Sequence, residues 1–433
     1  MRIIDFSKEK DFLKRLLDRN KLEMNEANET VDRIVWDVRQ NKDKALKEYT
    51  KEYDGVMLED LLVSKQEIDE AVKSISQDLL EDLFKAKENI EKFHKKQLKN
   101  SYSLYEGEDV ILGQLIRPLE RAGIYIPGGR AAYPSTVLMN AIPAKIAGVK
   151  EIIMITPPSP EGSIKPSILA AASIAGVDKI YKVGGAQGIA ALAFGTESIP
   201  KVDKITGPGN IYVAMAKKKV SGYVGIDMIA GPSEIVIMAD QWANPEYIAA
   251  DLISQAEHDE MAAAILVTDW EPLACKVMKE IESQLQSIDR KETVKKSLEN
   301  YGAIIVTGCM SESLDLVNEI APEHLEILTR DPFEIYKGVK NAGAIFLGEY
   351  SPEAVGDYFA GPNHTLPTSS TSRFSSPLSV DDFMKKTSLI YYSKKALERS
   401  KDSIMRIAEE EGLTGHANSI RVRFREEKLQ CNG

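Results

Sequence analysis

The chain has no apolar run close to the roughly 18 residues that a membrane-spanning helix needs, and its 433 residues include only 3 cysteines. Cys275, Cys309 and Cys431 are odd in number and form no CxxC pair, which argues against a disulfide framework or a cysteine-rich zinc site. Asp5 and Lys8 interrupt any apolar segment at the N-terminus, so we expect no signal peptide and a cytoplasmic location. The net charge of -11 argues against nucleic acid or an anionic membrane as the main partner.

Several common catalytic signatures are also absent. The chain contains no GxGxxG, no GxxxxGK[ST] and no HExxH. No cysteine lies in its glycine-rich stretches, which argues against thiol catalysis of the aldehyde dehydrogenase type. The nearest nucleotide-binding features are glycine turns that open helices at 184–188 and 207–210, where backbone N–H groups could bind phosphate. Plain tight turns are the alternative.

The order of patterns along the chain predicts its architecture. Residues 1 to about 100 carry apolar residues at helical spacing and almost no glycine, which predicts two or three amphipathic helices. From about 111, short apolar runs alternate with helical segments, and this alternation occurs twice. Such alternation is typical of parallel sheets covered by helices on both faces. Ligands in such sheets bind outside the carboxyl ends of the strands.

We therefore predict an α/β fold with two Rossmann-like parallel-sheet domains, a helical N-terminal segment and a small C-terminal tail domain. The predicted boundaries are an N-terminal helical arm at 1–20, a first α/β domain at 21–120 plus 235–378, a second α/β domain at 121–234, and a tail at 379–433.

The segment 226–259 combines a Gly-Pro-Ser-Glu turn, a buried strand and a capped helix. Asn244 can cap this helix with its side-chain oxygen, and Pro245 suits the first helical position. Gln255 and His258 are three residues apart near the helix end and therefore project from one face. They resemble half of a metal site.

Histidine is scarce, with 5 residues in the chain. His94 lies in a lysine-rich run, and we expect it to be solvated. The other histidines lie in acidic or Gly/Pro-rich contexts, and the candidate metal ligands are Gln255, His258, Asp357, His364 and His416. Nitrogen and oxygen ligands without thiolates suit zinc, or manganese or cobalt in its place. Ordinary core or surface histidines are the alternative.

Two further segments carry candidate chemistry. Glu323 and His324 are adjacent just before a predicted strand, where they could move protons, although a surface Glu-His pair is the bland alternative. After Gly348 a long stretch rich in Gly, Pro, Ser and Thr shows almost no helix or strand signal. Such loops in compact domains are often functional.

Together these segments closely resemble the histidinol dehydrogenase family, in order and over nearly the full chain. The matching stretches are GIYIPGG at 123–129, GGAQGIAALAFGT at 184–196, KITGPGN at 204–210, IDMIAGPSE at 226–234, DLISQAEHD at 251–259, APEHLEI at 321–327, GDYFAGPNHTLPT at 356–368 and GLTGHANS at 412–419.

The resemblance implies a homodimeric NAD- and zinc-dependent oxidoreductase that converts L-histidinol through L-histidinal to L-histidine, with two NAD consumed. It implies one zinc per subunit, held by Gln255, His258, Asp357 and His416, the last from the tail of the other subunit. The implied acid/base residues are Glu323 and His324. The implied substrate contacts are Ser233, Gln255, His258, His324, Asp357, Glu411 and His416, and the implied NAD contacts are Tyr125, Gln187 and Asn210.

Two other functions remain open at this point. One is a related zinc-dependent, NAD-linked polyol or amino-alcohol dehydrogenase on the same scaffold. The other is a catalytically silent zinc or nucleotide binder. His364 follows one of the matching motifs, but the sequence assigns it no role.

Overall fold

The structure is a computed structural model that describes residues 1–6, 11–128 and 132–425, with the side chains of 11–26 left out. Expectations that involve Lys8, Gly129 or Cys431 therefore lie outside the described residues. The strands are β1 (Arg2–Asp5), β2 (Tyr102–Glu106), β3 (Val110–Pro118), β4 (Arg121–Tyr125), β5 (Glu151–Thr156), β6 (Lys179–Lys182), β7 (Lys204–Thr206), β8 (Gly225–Ile226), β9 (Glu234–Ala239), β10 (Ala263–Thr268), β11 (Ala303–Val306), β12 (His324–Leu328), β13 (Ala344–Leu347) and β14 (Met384–Tyr392).

The helices are α1 (Asp11–Asp54), α2 (Lys65–Ser74), α3 (Gln77–His94), α4 (Pro134–Ala147), α5 (Pro166–Ala175), α6 (Gly185–Phe194), α7 (Ile211–Val220), α8 (Pro245–Ala256), α9 (Glu271–Gln284), α10 (Lys291–Asn300), α11 (Met310–Ile320), α12 (Pro332–Ile335), α13 (Glu353–Tyr358), α14 (Lys394–Glu410) and α15 (Thr414–Arg421). Helix α1 is interrupted at Lys42, whose φ of 49° is not helical.

Contacts divide the chain into two compact units. The main unit comprises Met1–Leu98 and Pro118–Phe383, and the tail unit comprises Lys99–Arg117 and the chain from Met384 onward. The main unit contains a six-stranded sheet in the order β1-β11-β10-β9-β12-β13 and a five-stranded sheet in the order β6-β5-β4-β7-β8. All neighbouring strands in both sheets run parallel. The predicted α/β class is confirmed.

The central strands are buried over their whole length, as β9 and β10 show. Uninterrupted apolar runs of this kind occur where helices cover both faces of a parallel sheet. The predicted amphipathic N-terminal helices are confirmed, and buried Val31, Ile34 and Val38 of α1 pack in one core with Ile189 of α6. The helical pattern did not indicate β1, which pairs with β11 at the edge of the six-stranded sheet. The predicted domain boundaries stay predictions.

The tail unit is small. Its strands β2 and β3 pair antiparallel, and β14 joins them on the other side of β3. Ser393 caps α14 and donates its hydroxyl to Asp109 at 2.8 Å, and Arg399 pairs with the same carboxylate at 3.1 Å. Most of the segment SLIYYS lies in β14, and Thr414–Arg421, which includes most of GLTGHANS, forms α15.

Two other expectations are also wrong. His94 is fully buried rather than solvated, because it continues the buried stripe of Leu83, Ala86 and Ile90 on α3. Its Nδ1 lies 2.9 Å from the Ile90 carbonyl oxygen. The long stretch after Gly348 contains the 6-residue helix α13, which is too short to be stable from local propensity alone.

None of the helices in the described part of the chain is long and apolar enough to cross a membrane.

A buried ion pair organises the turn after β7. Lys217 is 1% exposed, pairs with Asp227 and donates to the carbonyl oxygen of Gly207 at 2.9 Å. Asp227 accepts the N–H of the same glycine at 2.8 Å. Gly207 has a φ of +114°, and a Cβ there would collide with the carbonyl oxygen of Tyr125. The ion pair therefore binds both the N–H and the carbonyl oxygen of Gly207. This is a position that only glycine can occupy without strain.

We expect Lys217→Met to lower the free energy of unfolding by about 3–5 kcal/mol, because it leaves the Asp227 carboxylate buried without its cation. Urea unfolding followed by circular dichroism measures the loss. The matched control is Lys219→Met, which removes the half-exposed pair between Lys219 and Asp32 and should lower it by less than about 1 kcal/mol. Equal losses in the two variants would contradict this account of the turn.

Candidate active site and metal centre

The candidate site lies at the amino ends of strands in the six-stranded sheet. Glu234 opens β9, and His324 opens β12, which pairs with β9 in parallel register. Helix α8 follows β9 and returns across the sheet, so its C-terminal end comes back to the same edge. This group of residues therefore lies at the amino ends of the strands, not at the carboxyl ends where the strand pattern predicts ligands.

Helix α8 forms as its sequence predicts. The Asn244 side chain accepts the N–H of Glu246 at 3.0 Å, Pro245 is the first helical residue, and Ile248 and Leu252 are fully buried. Gln255 is also fully buried. With its amide nitrogen turned toward Glu353, it donates to the two carboxylate oxygens at 2.7 and 2.9 Å.

His258, Glu353 and Asp357 form the candidate metal centre. One potential ligand atom from each residue lies within 4.8 Å of the other two. His258 follows the end of α8, whereas Glu353 and Asp357 are four residues apart on α13 and so share one face. One imidazole nitrogen and two carboxylates form a donor set that zinc accepts.

His324 is surrounded by carboxylates. Its Nδ1 lies 3.2 Å from the Glu234 carbonyl oxygen and 3.7 Å from Glu353 Oε1, and its Nε2 lies 3.7 Å from Asp357 Oδ1. Burial by itself lowers the pKa of His324, but Glu353, Glu323 and Asp357 outweigh it and raise that pKa well above its ordinary value. When neutral with the proton on Nδ1, the ring can accept a proton only at Nε2.

Glu323 is 6% exposed, and its Oε2 accepts the N–H of Glu234 at 2.9 Å and lies 3.8 Å from Nδ1 of His324. Burial raises the pKa of Glu323 to about 8, although His324 opposes the shift. Since His324 is only 4% exposed, this is not a surface Glu-His pair. A buried acid beside a buried imidazole is suited to proton transfer.

In the other titratable groups of the cluster, burial and neighbouring charges shift the pKa in opposite directions. Burial raises the pKa of Glu353 to about 7 despite the nearby His324. Burial would also raise the pKa of Asp357, but its contact with His324 and the charge of His364 lower it. Burial lowers the pKa of His258, with Asp357 opposing it. His364 lies 3.0 Å through Nδ1 from the Asp357 carbonyl oxygen, so it contacts the backbone of a candidate ligand.

The predicted NAD contacts lie at the carboxyl edge of the five-stranded sheet. Tyr125 ends β4, and its hydroxyl accepts the N–H of Gly185 at 3.3 Å. Gln187 is buried in α6, and its Oε1 receives no hydrogen bond from any described residue. Asn210 caps α7 by accepting the N–H of Val213 at 3.1 Å. A buried acceptor without a donor is a feature that a bound ligand can satisfy.

Comparisons with known proteins show the family. A family model described as histidinol dehydrogenase matches residues 17–424. The chain belongs to the histidinol dehydrogenase family. It is 57% identical over 414 residues to the histidinol dehydrogenase of Clostridium acetobutylicum, covering 96% of each chain. It is 55% identical over 426 residues to that of Caldanaerobacter subterraneus, covering 98% of this chain and 99% of the relative.

A crystal structure of histidinol dehydrogenase from Elizabethkingia anophelis has the same fold. The TM-score is 0.87 at 42% identity, and the match covers 91% of each chain. The resemblance found in the sequence is confirmed, and a separate polyol or amino-alcohol dehydrogenase is not favoured.

The main unit contains most of the residues predicted for a histidinol dehydrogenase site. It groups Gln255, His258, Glu323, His324 and Asp357, and half-buried Ser233 directly precedes Glu234. Glu411 follows α14 and His416 lies on α15, both exposed in the tail unit. The role of each residue stays a prediction.

Glu353 was missed by the sequence analysis. It is 2% exposed and contacts both Gln255 and His324. Glu353 and Asp357 are four residues apart, a spacing that places two side chains on one face of a helix. The spacing is informative only if the segment is known to be helical. Proline before it and glycine within it hid the helix.

The protonation state of Glu323 can be tested through stability. A carboxyl whose folded pKa of about 8 exceeds its unfolded value contributes stability that is complete below the unfolded pKa and lost as pH rises through the folded pKa. In metal-free protein we expect the unfolding free energy of the wild type to fall relative to that of Glu323→Gln between pH 5 and 8, by at most about 1.4 kcal/mol per pH unit.

Urea unfolding at several pH values measures this difference. The matched control is Glu282→Gln at an exposed position of α9, which should change nothing over the same range. Parallel stability curves for the wild type and Glu323→Gln would show that Glu323 is ionised throughout.

Proposed function

We propose that the protein is an NAD-dependent, zinc-containing homodimeric enzyme of the cytoplasm that oxidises L-histidinol through L-histidinal to L-histidine, the last step of histidine biosynthesis. The main support is the buried pair of Glu323 and His324 beside His258, Glu353 and Asp357 in a chain of this family. A proton-transfer pair next to a metal-ligand cluster is what an alcohol oxidation followed by hydration of an aldehyde requires.

The proposed metal ligands are Gln255, His258 and Asp357, with His416 of the partner subunit completing the set. The donors are amide oxygen, imidazole nitrogen and carboxylate, which suit zinc without a thiolate. When bound, zinc supplies positive charge that orients the imidazole and amine of histidinol and offsets the carboxylates that raise the pKa of His324. Ser233 and Glu411 are the remaining proposed substrate contacts.

The proposed chemistry uses His324 and Glu323 in turn. In the first oxidation the alcohol carbon gives a hydride to NAD, and Nε2 of His324 takes the hydroxyl proton, which leaves the aldehyde. In the second, Glu323 takes a proton from water as the oxygen adds to the aldehyde carbon. The resulting hydrate gives a second hydride to a second NAD and a proton to the solvent, so the four electrons of the alcohol-to-carboxylate oxidation reach two NAD.

The NAD contacts proposed for this reaction are Tyr125, Gln187 and Asn210. The unpaired Oε1 of Gln187 supports this assignment because it gives a bound amide or hydroxyl a buried acceptor.

The tail unit supports a dimer in which each subunit completes the site of the other. Its strands leave large apolar side chains exposed, namely Tyr102, Leu104, Tyr105, Leu389, Ile390, Tyr391 and Tyr392. Such a concentration of apolar surface marks an interaction site. His416 and Glu411 are exposed and therefore available to a second chain.

The stoichiometry of NADH tests the reaction. We expect two NADH for each L-histidinol consumed, no activity after metal removal by a chelator, and recovery when zinc is added. One NADH with free aldehyde would remove the second oxidation from the proposal. No NADH from histidinol, with turnover of a simple diol or amino alcohol, would contradict the substrate.

Mixed dimers test the shared site. His258→Ala and His416→Ala should each be inactive with an intact fold, since both side chains lie at least partly exposed. If each site takes His258 from one chain and His416 from the other, dimers reassembled from equal amounts should regain roughly a quarter of wild-type activity. This follows because half of them are mixed and each mixed dimer has one intact site. Continued inactivity of the mixture, with mixed dimers verified by mass spectrometry, would place each site within one chain.

A further inference from the structure

Two buried or half-buried carboxyl groups, those of Asp251 and Glu326, lie near the candidate site but are not among its proposed metal ligands or substrate contacts. Glu326 is fully buried on β12, two residues after His324, so both side chains project from the same face of the sheet. Asp251 lies on α8, one helical turn before Gln255, and its carboxyl group lies close to that of Glu326. Their contact joins α8 to β12, next to the strand residue His324.

Glu326 also holds the start of α13. Its Oε1 accepts the backbone N–H of Glu353 at 2.8 Å. Helix α13 has 6 residues and depends on tertiary contacts because so short a helix is unstable alone. Since Glu353 and Asp357 both lie on α13, one hydrogen bond at its first residue sets the position of two members of the metal-ligand cluster.

The second carboxyl oxygen of Glu326, Oε2, is buried and has no hydrogen-bond donor among the described residues. An amide in place of this carboxyl would still accept the Glu353 N–H and could in addition donate to Asp251.

We propose that Asp251 and Glu326 are positioning residues that fix α13, so that Glu353 and Asp357 face Gln255, His258 and His324. The proposal rests on the proposed function only for its metal and kinetic measurements. Neither residue is among the proposed substrate contacts, so both act through the helix that they hold.

Two substitutions at Glu326 separate positioning from simple bulk. Glu326→Gln can accept the Glu353 N–H and donate to Asp251, so zinc affinity and kcat should stay within about threefold of wild type. Glu326→Leu fills similar space but makes neither bond, and we expect about 10–100-fold weaker zinc binding, as for lost outer contacts to metal ligands. The KM for NAD should change less than twofold, because the proposed NAD contacts lie on the other sheet.

Hydrogen exchange provides a readout that does not depend on activity or metal. In metal-free protein, a peptide that contains α13 should exchange faster in Glu326→Leu than in wild type and Glu326→Gln. The control for general destabilisation is Ile304→Val in the buried strand β11 of the same sheet, which should leave both α13 exchange and zinc affinity unchanged. If Glu326→Leu does not fold, Asp251→Ala, at a half-buried position, takes its place with the same expected direction.

Unchanged α13 exchange and zinc affinity in a folded Glu326→Leu or Asp251→Ala variant would overturn the proposal. A Glu326→Gln variant whose zinc affinity and α13 protection from exchange fall as far as those of Glu326→Leu would also overturn it. A wild-type protein that makes no NADH from histidinol would contradict the proposed function, whereas the exchange measurement would still decide the role of the pair.

Discussion

The parallel pairing of β9 with β12 is the constraint on which the candidate site depends. It places Glu234 and His324 side by side at one edge, where the Glu234 backbone contacts both Glu323 and His324. Because α8 must cross the sheet in the opposite direction to β9, its last turn brings Gln255 and His258 to that edge. One strand pair and one crossover helix thus assemble both proton-transfer and ligand groups, with only α13 supplied from elsewhere.

Several carboxylates are buried together at this edge, and their negative charges are offset by the imidazole of His324. Glu323, Glu353 and Asp357 surround the ring of His324, and each carboxylate favours the protonated imidazole while burial opposes every charge. Removing any one charge from such a cluster changes the proton affinity of the others. A divalent cation would therefore alter the protonation of the whole cluster, which links metal binding to the acid/base behaviour of Glu323 and His324.

Local signals explain which parts of this arrangement could be predicted. Helix α8 was predictable because its cap, first-turn proline and apolar period all lie within the segment. Helix α13 was not, since it depends on a hydrogen bond from Glu353 to Glu326, 27 residues earlier in the chain. His94 was misjudged because its lysine neighbours dominate the composition, although its position on α3 continues the buried stripe. The family motifs identified most candidate residues, but Glu353 lies outside the matched segments.

The loop after α13 contacts the layers of both sheets in the main unit. Asn363 donates to the Met139 carbonyl oxygen of α4 at 2.6 Å, which fixes the loop to the layer of the five-stranded sheet. A few residues later, Thr368 accepts the Gly231 N–H at 2.6 Å and Ser369 donates to Glu234 at 3.0 Å, at the edge of the six-stranded sheet. The segment is bound to both layers through the side chains of Asn363 and Thr368 and the backbone N–H of Ser369, not through a regular backbone ladder. Its irregularity is therefore what allows one loop to join the amino edge of one sheet to the layer that carries the proposed NAD turns.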